Sequence, residues 1–237
     1  MDTSQSSVPE PPDFDQKAAW GFSSKHELRW PASLALVVAS GLYVALPDTL
    51  IYGPKIDRWI VPALELLLIL PLEFSQTHAH HYVHESRWRR YLSLGLIGLV
   101  NAANLGSLVL LVQHLVQAKV ISGKDLIFSA ILIWLTNMII FGLWYWEIDR
   151  GGPARRCAES HREPDFLFPQ MVTPEAAPPG WAPDFVDYLY VSFTNATAFS
   201  PTDTMPLTNL AKTLMMIQSL ASLLTIALVA SRAVNIL

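Results

Sequence analysis

The chain has 237 residues, of which 51% are hydrophobic and 15% charged, with a formal net charge of −4. Soluble domains carry about 25% charged residues, and here the apolar surplus sits in discrete blocks, so the composition points away from a soluble domain and into the membrane class. No basic face invites nucleic acid, and the single Cys157 excludes an internal disulfide and a cysteine-built zinc site.

Residues 1–29, "MDTSQSSVPEPPDFDQKAAWGFSSKHELR", are polar, acidic and rich in Pro and Ser. They lack the basic start and immediate apolar core of a signal peptide, and read as a disordered or loosely attached tail. The remainder, 30–237, reads as one transmembrane domain. Five apolar segments follow, at about 30–52, 59–84, 91–116, 125–147 and 206–236. Backbone groups in lipid must be satisfied within the segment, so each is expected to be an α-helix. Trp30, Trp59, Trp88, Tyr91, Trp144, Tyr145 and Trp146 stand at segment ends, where interfacial aromatics belong. The expected fold is therefore all-α: a polytopic helical membrane protein with five transmembrane helices. A Pro-rich connection, 148–183, reads as an extended polar loop.

Several polar residues interrupt the apolar segments. Glu65 sits about two turns inside the second, where an ionisable group costs roughly 2.5 kcal/mol or more. It suits an ion ligand, a proton carrier, or a neutral carboxyl bonded to Asn101 or Asn104. Asn101 and Asn104 share one face of the third helix, beside Gly95, Gly98, Ala102 and Gly106, which permit close helix approach. Asn137 in the fourth helix suits the same packing or functional roles. In the last helix Gln218, Ser222, Thr225 and Arg232 form one polar stripe, which either lines a wet path or bonds neighbouring helices.

After the second segment comes "HAHHYVHESRWRR". If it is helical, His80 and His84 are four apart and His78 and His81 three apart, a spacing that can chelate a transition metal. The cluster also resembles the histidine boxes of membrane di-iron desaturases, but those need about eight histidines and this chain has seven in all. The alternative is a solvated helix end at the headgroups, or a pH sensor.

Segment 184–199 precedes the last helix, and "SPTDTMP" follows within a turn-forming stretch. Tyr188, Val191 and Asn195 share one helical face; Leu189, Phe193 and Ala196 share another. A short helix, a turn and a full helix make either a re-entrant hairpin or a helix lying flat on the interface. The stretch resembles the pore module of potassium channels. Asp187, Leu189, Tyr190, Ser192 and Thr197 fall on similar pore-helix residues, Asp203 on the acidic residue after the filter, Pro206 on a later proline, and Lys212 on a commonly basic position. The same region, with "IWLTNMIIFGLWYW" and "DFLFPQM" upstream, is similar to a family of predicted bacterial membrane proteins of unknown function. That likeness implies a fold and a bacterial inner-membrane location, but no activity.

The filter departs from the channel pattern. Ser200 and Thr202 replace both glycines, and Pro201 between them fixes φ and removes a donor. A ladder of carbonyls selective for potassium is not expected. The pore-like residues that remain are Asn195, Thr197, Ser200, Thr202 and Asp203.

Lys17, Lys25, Arg29, Arg87, Arg89, Arg90, Arg150, Arg155, Arg156 and Arg162 fall on the tail and the second and fourth connections. Lys55, Arg58, Lys119 and Lys124 fall on the first and third, and Arg232 near the C-terminus. The bias sets the N-terminus in the cytoplasm. No nucleophile–base pair, phosphate loop or cofactor fingerprint stands out, so neither an enzyme nor a cofactor is expected. The leading expectation is an ion-channel-like or transport-related membrane protein without a potassium filter. The alternatives are a non-transporting scaffold or accessory subunit and, third, a metal-dependent membrane enzyme. Expected partners are the lipid bilayer, further copies of the chain and inorganic cations.

Overall fold

The structure is a computed structural model that describes residues 29–51, 58–60, 62–63, 87–117, 122–156, 163–178, 181–198 and 203–234. Among these, seven α-helices form the body: α1 Trp30–Val44, α2 Arg87–Val116, α3 Gly123–Ile148, α4 Pro153–Arg156, α5 Pro169–Val172, α6 Phe185–Ala198 and α7 Asn209–Val234. Two short strands, β1 Phe166–Leu167 and β2 Met205–Pro206, pair antiparallel, with Phe166 opposite Pro206 and Leu167 opposite Met205. The fold is thus mostly helical.

The expectation of five spans is corrected: among the described residues three helices are long and apolar enough to cross a membrane, Arg90–Val116, Gly123–Gly151 and Asn209–Ser231. The first predicted span falls short because α1 has 15 residues, about 22 Å at 1.5 Å per residue against a hydrocarbon core of about 30 Å. Pro47 and the 3₁₀ turn Asp48–Leu50 end its apolar run. Most of the second predicted span lies outside the described residues, as do the N-terminal tail to residue 28, Glu65 and the four clustered histidines.

α3 is the central element, packed by α1, α2, α6 and α7. Ser122 starts it as N-cap, its hydroxyl accepting from the Asp125 amide at 3.1 Å. Three successive left-handed residues end it: Arg150 (φ 53°), Gly151 (φ 87°) and Gly152 (φ 99°). α2 runs antiparallel beside it, with Asn104 donating to the Ile133 carbonyl and Arg90 donating to the Gly151 carbonyl. α6 and α7 both start beside the C-terminal end of α3. Tyr188, one turn into α6, bonds to Asp149, whereas Phe193 already meets Trp134, about four turns down α3. β2 then lies again at the first end, paired with β1, and α7 descends a second time. The chain from Phe185 onward therefore makes a hairpin that enters and leaves at one end of the bundle.

The packing is inverted relative to a protein in water. On α7 the buried positions include Gln218, Ser222 and Thr225, while Leu220, Leu223, Leu224 and Ile226 are exposed. On α1, Ala32, Leu36, Ala39 and Ser40 are buried, and Trp30, Leu34, Val37 and Val38 point outward. Large apolar side chains outside and polar ones inside are what a lipid solvent requires. The chain thus has the build of a multi-pass membrane protein.

Candidate functional site

Two polar assemblies organise the region around α6. The first lies inside the bundle and joins α3, α6 and α7. Gln218, fully buried, is its hub. Its Oε1 accepts from the Tyr145 hydroxyl at 2.5 Å and from Asn195 Nδ2 at 2.7 Å. Its Nε2 donates to Ser192 Oγ at 2.7 Å and to the Ser192 carbonyl at 2.9 Å. Ser192 in turn donates to the Met138 carbonyl on α3 at 2.6 Å. Asn195 also donates to the Met215 carbonyl at 3.1 Å, and Ser219 donates to Asn195 Oδ1 at 3.1 Å. One turn further along, Asn137 donates to Ser222 Oγ at 3.1 Å. These bonds can form because Gly142 lets α6 approach. A Cβ there would stand 3.2 Å from the Leu189 Cα.

The second assembly stands where α3 ends. The buried Asp149 carboxylate accepts from the Tyr188 hydroxyl at 2.6 Å and from the Asp165 amide at 2.7 Å. Asp165 returns the bond, its Oδ2 accepting from the Arg150 amide at 3.1 Å, and its Oδ1 accepts from the Thr208 hydroxyl at 2.6 Å. Thr208 also caps α7 by accepting from the Ala211 amide at 3.3 Å. Arg156 donates to the carbonyls of Trp146 and Asp149, at 2.6 and 2.9 Å. Its guanidinium lies over the rings of Tyr188 and Trp146, 5.2 and 5.7 Å from their centroids. One clamp therefore fixes the end of α3, the first strand, and the starts of α6 and α7.

α6 has a reciprocal cap of its own. Asp184 Oδ1 accepts from the Val186 amide at 2.8 Å, and Asp187 Oδ2 accepts from the Asp184 amide at 2.9 Å. Burial pushes the Asp187 carboxyl up to about 6; the neighbouring Asp184 charge adds to the rise, and the Asp184 hydrogen bond opposes it.

The residues singled out from sequence divide as follows. Asn137, Asn195 and Gln218 come together in the inner network. Asn104 is buried against α3, while the Oδ1 atoms of Asn101, Asn104 and Asn137 have no hydrogen-bond partner among the described residues. Thr197 is exposed and bonds back to the Phe193 carbonyl at 2.9 Å within α6; Asp203 is exposed. Ser200, Thr202, Glu65, His78, His80, His81 and His84 lie outside the described residues, and among the described residues no group of three or more metal-ligating side chains converges. Of the glycines expected to permit close helix approach, among the described residues Gly95 meets nothing within 4 Å and Gly98 meets the Trp144 ring at 3.9 Å. Phe193 is exposed and meets Trp134 in a T-shaped contact.

Sequence reasoning missed Asp149, Asp165, Arg156 and Tyr145. The first three lie in a Pro-rich stretch that reads as solvated loop, and Tyr145 reads as an interfacial aromatic. One signal was present: Asp-Arg-Gly-Gly directly after an apolar run places a charge beside residues able to turn back sharply. Compared with protein-family models, curated proteins and solved structures, the chain finds no match.

Proposed function

We propose that this is an ion-channel-like or transport-related membrane protein without a potassium-selective filter. The observation that carries the reading is the hairpin at the end of α3. A short helix descends beside a long one, the chain comes back to the same end, and a second long helix descends beside both. Short helices that stop inside a bundle are tolerated where protein or a water-lined path satisfies the backbone beyond them. The resemblance of Asp187, Tyr190, Ser192, Thr197 and Asp203 to a pore module supports the same reading. Further copies of the chain would complete a conduction path, with exposed Asp203 side chains attracting cations at its mouth. Nothing in this reading needs catalysis, and the likeness of this region to predicted bacterial membrane proteins supports a bacterial inner membrane as the location.

A non-transporting scaffold or accessory subunit is favoured by a different observation. Gln218, Asn195, Ser192 and Tyr145 bond to one another, so the polar interior of the hairpin is closed on itself.

Liposome flux separates the two. Purified full-length protein is reconstituted, and sodium and potassium fluxes are measured side by side. The transport reading expects cation-biased flux with little preference between the two ions, and loss of the bias in Asp203→Asn. Absence of flux for either ion favours the scaffold. A strong potassium preference would overturn the argument from Ser200, Pro201 and Thr202.

A further inference from the structure

We propose that Arg90 and Arg155 form a binding site for a phosphate group, supplied by an anionic phospholipid headgroup. The two side chains come from separate elements. Arg90 lies at the start of α2 and Arg155 in α4, just beyond the end of α3. They converge over Gly151: Arg90 Nη1 lies 3.0 Å and Arg155 Nη1 3.6 Å from the point a Cβ would occupy there. Arg155 Cδ lies 2.8 Å from that point, so only a glycine leaves room for the pair. Gly151 also has φ 87°, a conformation other residues rarely adopt.

Two guanidinium groups held side by side repel each other unless an anion joins them. No carboxylate among the described residues does so. Arg90 donates to the Gly151 carbonyl, and the exposed Arg155 side chain has neither ion pair nor hydrogen bond among the described residues. The Asp149 and Asp165 carboxylates are engaged in the clamp, and Glu147 is buried. The other two arginines of the turn, Arg150 and Arg156, are buried within the protein. What stays open is a fork of planar donors, the geometry that suits phosphate oxygens.

The depth of the fork identifies the source. The candidate spans begin at Arg90 and end at Gly151, so the fork lies at the boundary of the apolar region, at headgroup level. Basic pockets between helices at that level bind lipid head groups. The exposed aromatic Tyr91 stands next to Arg90, where a headgroup-level anchor belongs.

The test uses native mass spectrometry of the full chain in detergent, titrated with phosphatidylglycerol or with phosphatidylcholine. Phosphatidylglycerol should bind more tightly. Arg155→Gln and Arg90→Gln should each weaken it about fivefold, the effect of about 1 kcal/mol per basic residue near an anionic headgroup. Arg155→Lys should retain part of the preference, and Lys124→Gln, exposed at the far end of α3, should change nothing. Circular dichroism melts show whether Arg90→Gln is still folded; Arg155→Gln removes no side-chain hydrogen bond or ion pair among the described residues and stands as the independent variant. Equal binding of the two lipids, or an unchanged preference in Arg155→Gln, overturns the proposal. Displacement of phosphatidylglycerol by millimolar inorganic phosphate would assign the fork to free phosphate and overturn the lipid source.

Discussion

At the scale of single residues, Gln218 sets the cost of disturbing the interior. It makes four hydrogen bonds to Tyr145, Asn195 and Ser192. Interhelical bonds in membranes contribute about 0.6 kcal/mol each on average. Gln218→Leu should therefore lower stability by about 2 kcal/mol, read from thermal unfolding in detergent. Leu220→Ala, two positions on and 60% exposed, should cost little. An unchanged melt for Gln218→Leu would mean that its partners find others. Asp187 makes a prediction of opposite character. Its carboxyl is raised to about 6 by burial first, with the Asp184 charge adding. An acid whose folded pKa is raised binds its proton more tightly when folded. Its contribution is complete below the ordinary aspartate value of about 3.9 and disappears as pH rises through about 6. Wild type should lose stability across that window relative to Asp187→Asn, which keeps an acceptor for the Asp184 amide. Parallel pH profiles for the two proteins would refute this.

At the scale of elements, the contact of α3 with α6 depends on one glycine. A Cβ on Gly142 would stand 3.1 Å from Leu189 Cδ1 and 3.2 Å from its Cα. The Cα belongs to helix backbone and cannot rotate away, so Gly142→Val must push α6 outward. The expected loss is about 1–3 kcal/mol, typical of overpacking. Gly95→Ala is the counterpart: a Cβ there meets nothing within 4 Å among the described residues, and replacing a mid-helix glycine should stabilise by up to about 1 kcal/mol. Melting curves of the two variants should move in opposite directions. If both fall, α2 also packs closely at Gly95. The distinction was not legible in the sequence. Glycines in a helix look alike until a neighbouring backbone arrives, and α6 is held at Gly142 by bonds such as Tyr188 to Asp149 and Ser192 to Met138.

At the scale of the whole molecule, the three candidate spans place Arg90, Arg150, Arg155 and Arg156 at one end of the bundle and Lys124 at the other. The arginine-bearing end should face the cytoplasm. The hairpin of α6 and α7 would then open to the cytoplasm, opposite to the pore module of a potassium channel. A membrane-impermeant thiol reagent can check this in a Cys157→Ser background. Lys124→Cys should be labelled in intact cells, and Arg155→Cys only after the membrane is opened. Labelling with the opposite sidedness would invert the topology.

Local chemistry was enough to place several helices. The blocks rich in Leu, Ile and Val read as helices because only a helix satisfies backbone groups in lipid within a single segment, and α2, α3 and α7 occupy the blocks at 91–116, 125–147 and 206–236 to within a few residues at most ends. The polar residues inside those blocks were also visible, because burial of Asn137 or Gln218 in an apolar run stands out in one dimension. Span number was less legible: Trp30–Tyr52 has the composition of a span, but a proline and a 3₁₀ turn leave α1 at 15 residues. Only the tertiary structure decided which polar groups meet. Asp149 and Tyr188 are 39 residues apart and Tyr145 and Gln218 are 73 apart, and no periodicity encodes such pairings. Likewise, a charged Pro-rich connection reads as solvated until a fold brings it hydrogen-bond partners. Asp149, Asp165 and Arg156 can be held in the clamp because the ends of α3, β1, α6 and α7 converge on them and satisfy groups that would otherwise need water.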